Sequence, residues 1–137
     1  MAEIIAQQLT SESDLSFQSA GTASWHIGEP MDPRAAQALS NRGFDPTDHW
    51  AQQATAALLS ESDLVIALDR KHHQILQGQV KKSSATLALL RPFDPSSGGI
   101  TDVEDPYYGD DQGFIDCCTI IERSVLGLLA ELSSGAV

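Results

Sequence analysis

The chain has 137 residues, 42% of them hydrophobic and 20% charged, which is enough apolar material for one globular core and too little for a second domain. Eight Lys and Arg against nineteen Asp and Glu give a net charge of -11, which repels nucleic-acid backbones and anionic membranes and disfavours phosphorylated ligands unless a local positive cradle overrides the field. No apolar run approaches the roughly 20 residues needed to span a bilayer, and the opening MAEIIAQQLT lacks the basic-then-apolar layout of a secretory signal, so a cytoplasmic protein is expected.

Met1 to Leu9 has helical apolar spacing at Ile4, Ile5 and Leu9 and opens without a visible cap. Leu15 to Ser19 alternates as a strand and runs into a turn at Gly21. Asp32 as N-cap and Pro33 at the first helical position start a helix that turns Ala35, Ala36, Ala38 and Leu39 inward and ends near Gly43. A short helix is predicted from Ala51 to Leu59. Leu64 to Leu68 and Ala85 to Leu90 are apolar runs of strand length and read as buried parallel strands. Asp69 caps the helix that follows, through about Leu76.

The stretch from Arg91 to Gln112 is rich in Pro, Gly and Asp and reads as one long loop of the kind that carries function. The last helix, about Asp111 to Leu132, puts Phe114, Cys117, Cys118, Ile121, Val125, Leu128 and Leu132 on one face. Alternating strand and helix give an α/β class with a doubly wound parallel sheet, in a single domain over residues 1–137. Such sheets normally open with a strand and a ligand-binding turn, whereas this chain opens at the helix.

The most informative segment is Val103-Glu104-Asp105-Pro106-Tyr107-Tyr108-Gly109-Asp110. Pro106 fixes its own φ and keeps Asp105 out of the α region, so a carboxyl group is held beside two adjacent phenols on an extended elbow. That is an aromatic slot with an acid at its rim, able to protonate a leaving group. The adjacent Cys117 and Cys118 cannot staple distant segments and read as reduced core thiols. His72 and His73 follow Arg70 and Lys71 without nearby carboxylate or thiol partners, so no metal or other cofactor is expected.

Taken in order, Ser19-Ala20-Gly21-Thr22, Trp25-His26-x-Gly28-x-Pro30-x-Asp32-x-Arg34-Ala35, Asp45-x-x-x-His49, the strand-end Asp69 and Asp105-Pro106-Tyr107-Tyr108-Gly109 resemble the low-molecular-weight protein tyrosine phosphatases nearly end to end. The resemblance implies a flavodoxin-like strand order and hydrolysis of phosphotyrosine monoesters through a phosphocysteine. It implies Asp105 as general acid, Trp25, Tyr107 and Tyr108 as walls for the substrate ring, and Ser19 and His49 as supports of the catalytic loop. The substrate it implies is a phosphotyrosine protein or a small aryl phosphate, with no nucleic-acid or membrane partner; it leaves the oligomeric state open.

In that family the catalytic loop C-x5-R-S-P is commonly followed by Met-Ala-Glu, and this chain starts Met1-Ala2-Glu3. The resemblance therefore implies that the central first strand and the nucleophile loop are missing from these residues, which are then expected to be catalytically inactive and prone to self-association. An inactive binder of phosphotyrosine or of a protein partner is the alternative. The family usually carries x-Ala-Arg-Gln after the matching His, where this chain has Trp50-Ala51-Gln52-Gln53.

The string Cys117 to Arg123 followed by Ser124 satisfies C-x5-R-S literally, but it lies in mid-helix with β-branched residues and Glu122 where phosphate would sit, so it reads as core packing.

Overall fold

The computed structural model describes residues 1–10, 15–21, 28, 30–46, 52–81 and 83–135. Two parallel strands, β1 (Leu64–Ala67) and β2 (Thr86–Leu89), pair in register from Leu64 opposite Thr86 to Ala67 opposite Leu89, joined by helix α4 (Arg70–Val80). Both strands fall within the predicted apolar runs.

The side-chain alternation of β1 explains why helices cover both faces. Val65 and Ala67 point into a cluster with Leu59, Leu76 and Val80, while Leu64, Ile66 and Leu68 pack against the larger core built around Ile4, Ile5, Leu39, Cys118 and Val125. The helices on that second face are α1 (Ala2–Leu9), α2 (Pro33–Asn41) and α5 (Asp111–Ser134), and α3 (Ala56–Ser60) joins α4 on the first. This is the doubly wound α/β arrangement predicted from the sequence. Among the described residues no helix is long and apolar enough to cross a membrane.

The helix ends follow side-chain chemistry. Asp32 accepts from the Arg34 N–H with Pro33 at the first position of α2. Asp69 accepts from the His72 N–H at 2.7 Å, and Asp110 from the Gly113 N–H at 3.0 Å. The C-cap of α5 is Gly135 at φ 75°, in the left-handed region that glycine enters at little cost. The predicted face of α5 is realised, with Phe114, Cys117, Cys118, Ile121, Val125 and Leu128 all buried.

Two predicted elements differ. Residues 15–20 form no ladder; the segment ends in a single parallel bridge between Gly21 and Gln53, closed by Gly21 N–H to Gln52 O at 2.7 Å and Ala54 N–H to Gly21 O at 2.8 Å. Alternation gives a residue stretch its two faces, but a ladder needs a partner strand in register. Those same bonds correct the helix predicted from Ala51: Gln52 to Ala54 are extended by the bridge, and α3 begins after Thr55, whose hydroxyl caps it through the Leu58 N–H. The Ala51 end of that prediction lies outside the described residues.

Candidate active-site cleft

A cleft of about 280 Å³ opens where the first turn of α1, the carboxyl end of β1 and the loop before α5 meet. Met1 and Ala2 form one wall, Leu68, Asp69 and His72 a second, and Asp105, Pro106 and Tyr107 the rim, with Phe114 and Cys117 of α5 beneath. A crevice at the carboxyl end of a parallel strand is where open α/β sheets bind ligands. Another depression of similar size lies between α2 and α5, lined by Gln37, Asn41 and Ile115 among others, but it holds neither the acid nor the ring pair.

The acid turn is tied down at both ends. Val103 donates its N–H to Leu68 O at 2.7 Å, which joins the loop to the end of β1, and Asp110 caps α5. Between these anchors the Gly109 N–H reaches Pro106 O at 2.8 Å to close the turn. The Tyr107 N–H donates to Asp105 Oδ1 at 3.0 Å, so the carboxylate is oriented by the backbone two residues on. Asp105 itself is exposed.

Tyr107 and Tyr108 meet edge to face, with ring centroids 5.0 Å apart and an interplanar angle of 86°. Tyr107 is 49% exposed and lines the cleft, whereas Tyr108 is 95% exposed and stands outside it. Ser19 donates its hydroxyl to Glu3 Oε1 at 3.1 Å, reaching the first turn of α1. Trp25 and His49 lie outside the described residues. The geometry thus brings Asp105 and Tyr107 to one cleft and sets Tyr108 at its outer edge.

His72 lines the cleft and Arg34 braces its rim, and sequence reasoning assigned neither to the site. The His72 Nδ1 lies 3.1 Å from Asp69 Oδ1. Arg34, from the first turn of α2, donates to Tyr107 O at 2.8 Å and to Gly109 O at 3.0 Å. The same guanidinium pairs with Asp32, whose carboxyl it holds below the usual carboxylate range. The available signal for Arg34 was its place two residues after a capping Asp; nothing local announced its reach to residues over seventy positions away.

Carboxylates dominate the rim, with Asp32, Asp69, Glu104 and Asp105 all lining it. Cys117 is the thiol in the cleft, and burial pushes it up to about 11, so it is protonated at neutral pH. Its Sγ lies 3.8 Å from Glu104 O. Arg123, the other end of the literal C-x5-R string, turns away to Asp94 at 3.1 Å. Among the described residues no group of three His, Cys, Asp or Glu is placed to hold a metal ion.

A family model described as "Low molecular weight phosphotyrosine protein phosphatase" matches residues 1–136. A Streptomyces coelicolor protein named "Low molecular weight protein-tyrosine-phosphatase" is 43% identical over 115 residues, covering 82% of this chain and 70% of the relative. The Mycobacterium tuberculosis "Low molecular weight protein-tyrosine phosphatase A" is 46% identical over 111 residues, covering 80% and 66%. A crystal structure of a low molecular weight phosphotyrosine phosphatase from Vibrio cholerae superposes with a TM-score of 0.87 at 26% identity, covering 99% of this chain and 89% of that one. The matches span about two thirds of the length of these bacterial relatives.

Proposed function

The chain belongs to the low molecular weight phosphotyrosine protein phosphatase family, and from that premise we propose that these residues carry the acid and the ring-binding half of a phosphotyrosine hydrolase. Asp105 is the general acid: it protonates the tyrosyl oxygen as the phosphoryl group departs to a cysteine thiolate, then takes a proton from the water that attacks the phosphocysteine. Tyr107 flanks the substrate ring from the cleft side and Tyr108 from the outer edge, with Trp25 completing the wall. Ser19 and His49 support the phosphate-binding loop. A flat ring walled by aromatics favours phosphotyrosine proteins or small aryl phosphates over phosphoserine. The observation that carries this reading is the placement of Asp105 and Tyr107 together on one braced turn at the mouth of the cleft.

The 137 residues do not themselves supply the attacking thiolate. Their two cysteines are buried in mid-helix, and burial raises the Cys117 thiol to about 11, which keeps it protonated at neutral pH. General acid help contributes about 10²–10⁴, far short of what phosphate-monoester hydrolysis requires. On this reading the 137 residues alone are expected to be inactive. The exposed ring pair supports a second reading, in which these residues bind phosphotyrosine or a protein partner without turnover.

The test is an aryl-phosphate assay on the purified 137-residue chain beside its Asp105→Ala and Cys117→Ala/Cys118→Ala variants. No turnover above background is expected from any of the three. Turnover that is lost in Asp105→Ala yet kept without both cysteines would overturn the thiolate mechanism.

A further inference from the structure

We infer that Arg34 is the positioning residue for the acid turn, acting on Asp105 through the backbone of Tyr107; the inference rests on the reading of Asp105 as the acid. Tyr107 is the link. Its N–H holds Asp105 Oδ1 at 3.0 Å, and its carbonyl is held by Arg34 Nη2 at 2.8 Å. The guanidinium also takes Gly109 O through Nη1 at 3.0 Å, so one planar group grips both carbonyls on the far side of the turn.

The rest of the side chain is fixed as firmly. Nε and Nη2 meet the two oxygens of Asp32 at 3.3 and 3.1 Å, and the guanidinium carbon lies 4.5 Å from the Phe114 ring centroid and 5.9 Å from that of Tyr107. Asp32 in turn caps α2 by accepting from the Arg34 N–H at 2.8 Å. The start of α2, the acid turn and the first turn of α5 are thereby joined at one residue.

Only arginine has the donor count and shape for this. Its flat fork of five N–H groups reaches two carbonyls and a carboxylate while stacking on an aromatic ring; lysine offers three donors on a point charge and no plane to stack. Without the grip, the turn from Glu104 to Gly109 keeps a single internal backbone bond, Gly109 N–H to Pro106 O. That is too little to hold exposed loop residues in one conformation.

The chain's two tyrosines are Tyr107 and Tyr108, so fluorotyrosine labelling gives two ¹⁹F signals, both from this turn. We would record ¹⁹F spectra and acid titrations of the 137-residue chain, of Arg34→Lys and Arg34→Met, of Asp105→Asn, and of Gln37→Ala as a control on the same helix. In the unsubstituted chain and the control, two dispersed signals are expected, with an acid-dependent shift of the Tyr107 signal that is lost in Asp105→Asn. In both Arg34 variants the dispersion collapses and that titration amplitude falls at least twofold, and the retained charge of lysine does not rescue it. Wild-type dispersion and amplitude in Arg34→Lys would overturn the inference, and this variant decides the matter if Arg34→Met fails to fold. Phenylphosphonate added to the same samples separates the two ideas. A probe that leaves the tyrosine signals of the unsubstituted chain unmoved counts against the slot reading alone, while the titration amplitude still judges Arg34.

Discussion

The Asp94 carboxylate is 1% exposed and meets Arg123 Nε at 3.1 Å. That pair disposes of the literal C-x5-R string, because the arginine that would clamp a phosphate is committed to a buried carboxylate at the foot of the loop. The Ser96 N–H donates to Asp94 Oδ1 at 2.8 Å and the Arg123 pair satisfies the other oxygen. Arg123→Ala leaves a buried charge short of a partner, which costs about 2–3 kcal/mol after allowing for the half-exposed arginine. Thermal melts should show a fall on the order of 10 °C. An unchanged melting temperature would mean that the pair is not formed in solution.

Burial raises the Cys117 thiol to about 11 and also raises Cys118. An unfolded cysteine ionises near 8.5, so between about pH 9 and 11 the folded state holds a proton that the unfolded state has released. The unfolded state binding fewer protons there, stability falls as pH rises through that window and is unaffected below it. The loss from Cys117 reaches about 3 kcal/mol by pH 11. Denaturation curves from pH 7 to 11 should show a steeper alkaline decline for the unsubstituted chain than for Cys117→Ala; parallel curves would remove the thiol from the account.

Asp69 has two tasks at the cleft wall, accepting from the His72 N–H and lying 3.1 Å from His72 Nδ1. Asp69→Ala removes the N-cap of α4 and frees the imidazole, at a cost of about 1 kcal/mol. Asp69→Asn retains a capping oxygen and should recover most of that stability. Equal losses in the two variants, measured by urea denaturation, would show that the carboxylate charge matters more than the cap.

Much of the fold was legible because its signals are local. The Asp32-Pro33 start of α2, the apolar runs of β1 and β2, and the one-sided face of α5 depend on neighbours within a few residues, and each appears where predicted. The failures have one physical origin. Leu15 to Ser19 has strand alternation but forms no ladder, and Gln52 to Ala54 were read as helix but are extended by Gly21, more than thirty positions away. The site divides the same way. The Asp105-Pro106-Tyr107 elbow was readable from proline chemistry, whereas the Arg34 grip and the presence of His72 at the cleft arise from tertiary placement.

Gly127 sits in the middle of α5 directly against the 3-10 turn at Arg91–Phe93, and a Cβ built there falls onto the Phe93 carbonyl oxygen and within 2.8 Å of its carbon. The obstacle is backbone, which cannot rotate aside as a side-chain end can. Gly127→Ala therefore forces α5 away from the turn that precedes Asp94, and the roughly 1 kcal/mol of helix propensity gained by alanine does not offset it. A net loss of about 2–4 kcal/mol is expected. Gly78, in the middle of α4, has ordinary helical φ and nothing within 4 Å of the same constructed atom. Gly78→Ala should therefore gain about 0.5–1 kcal/mol. The pair makes opposite predictions from one chemical change, so chemical denaturation of both variants tests the packing directly: a stabilised Gly127→Ala would show that α5 does not approach the turn this closely.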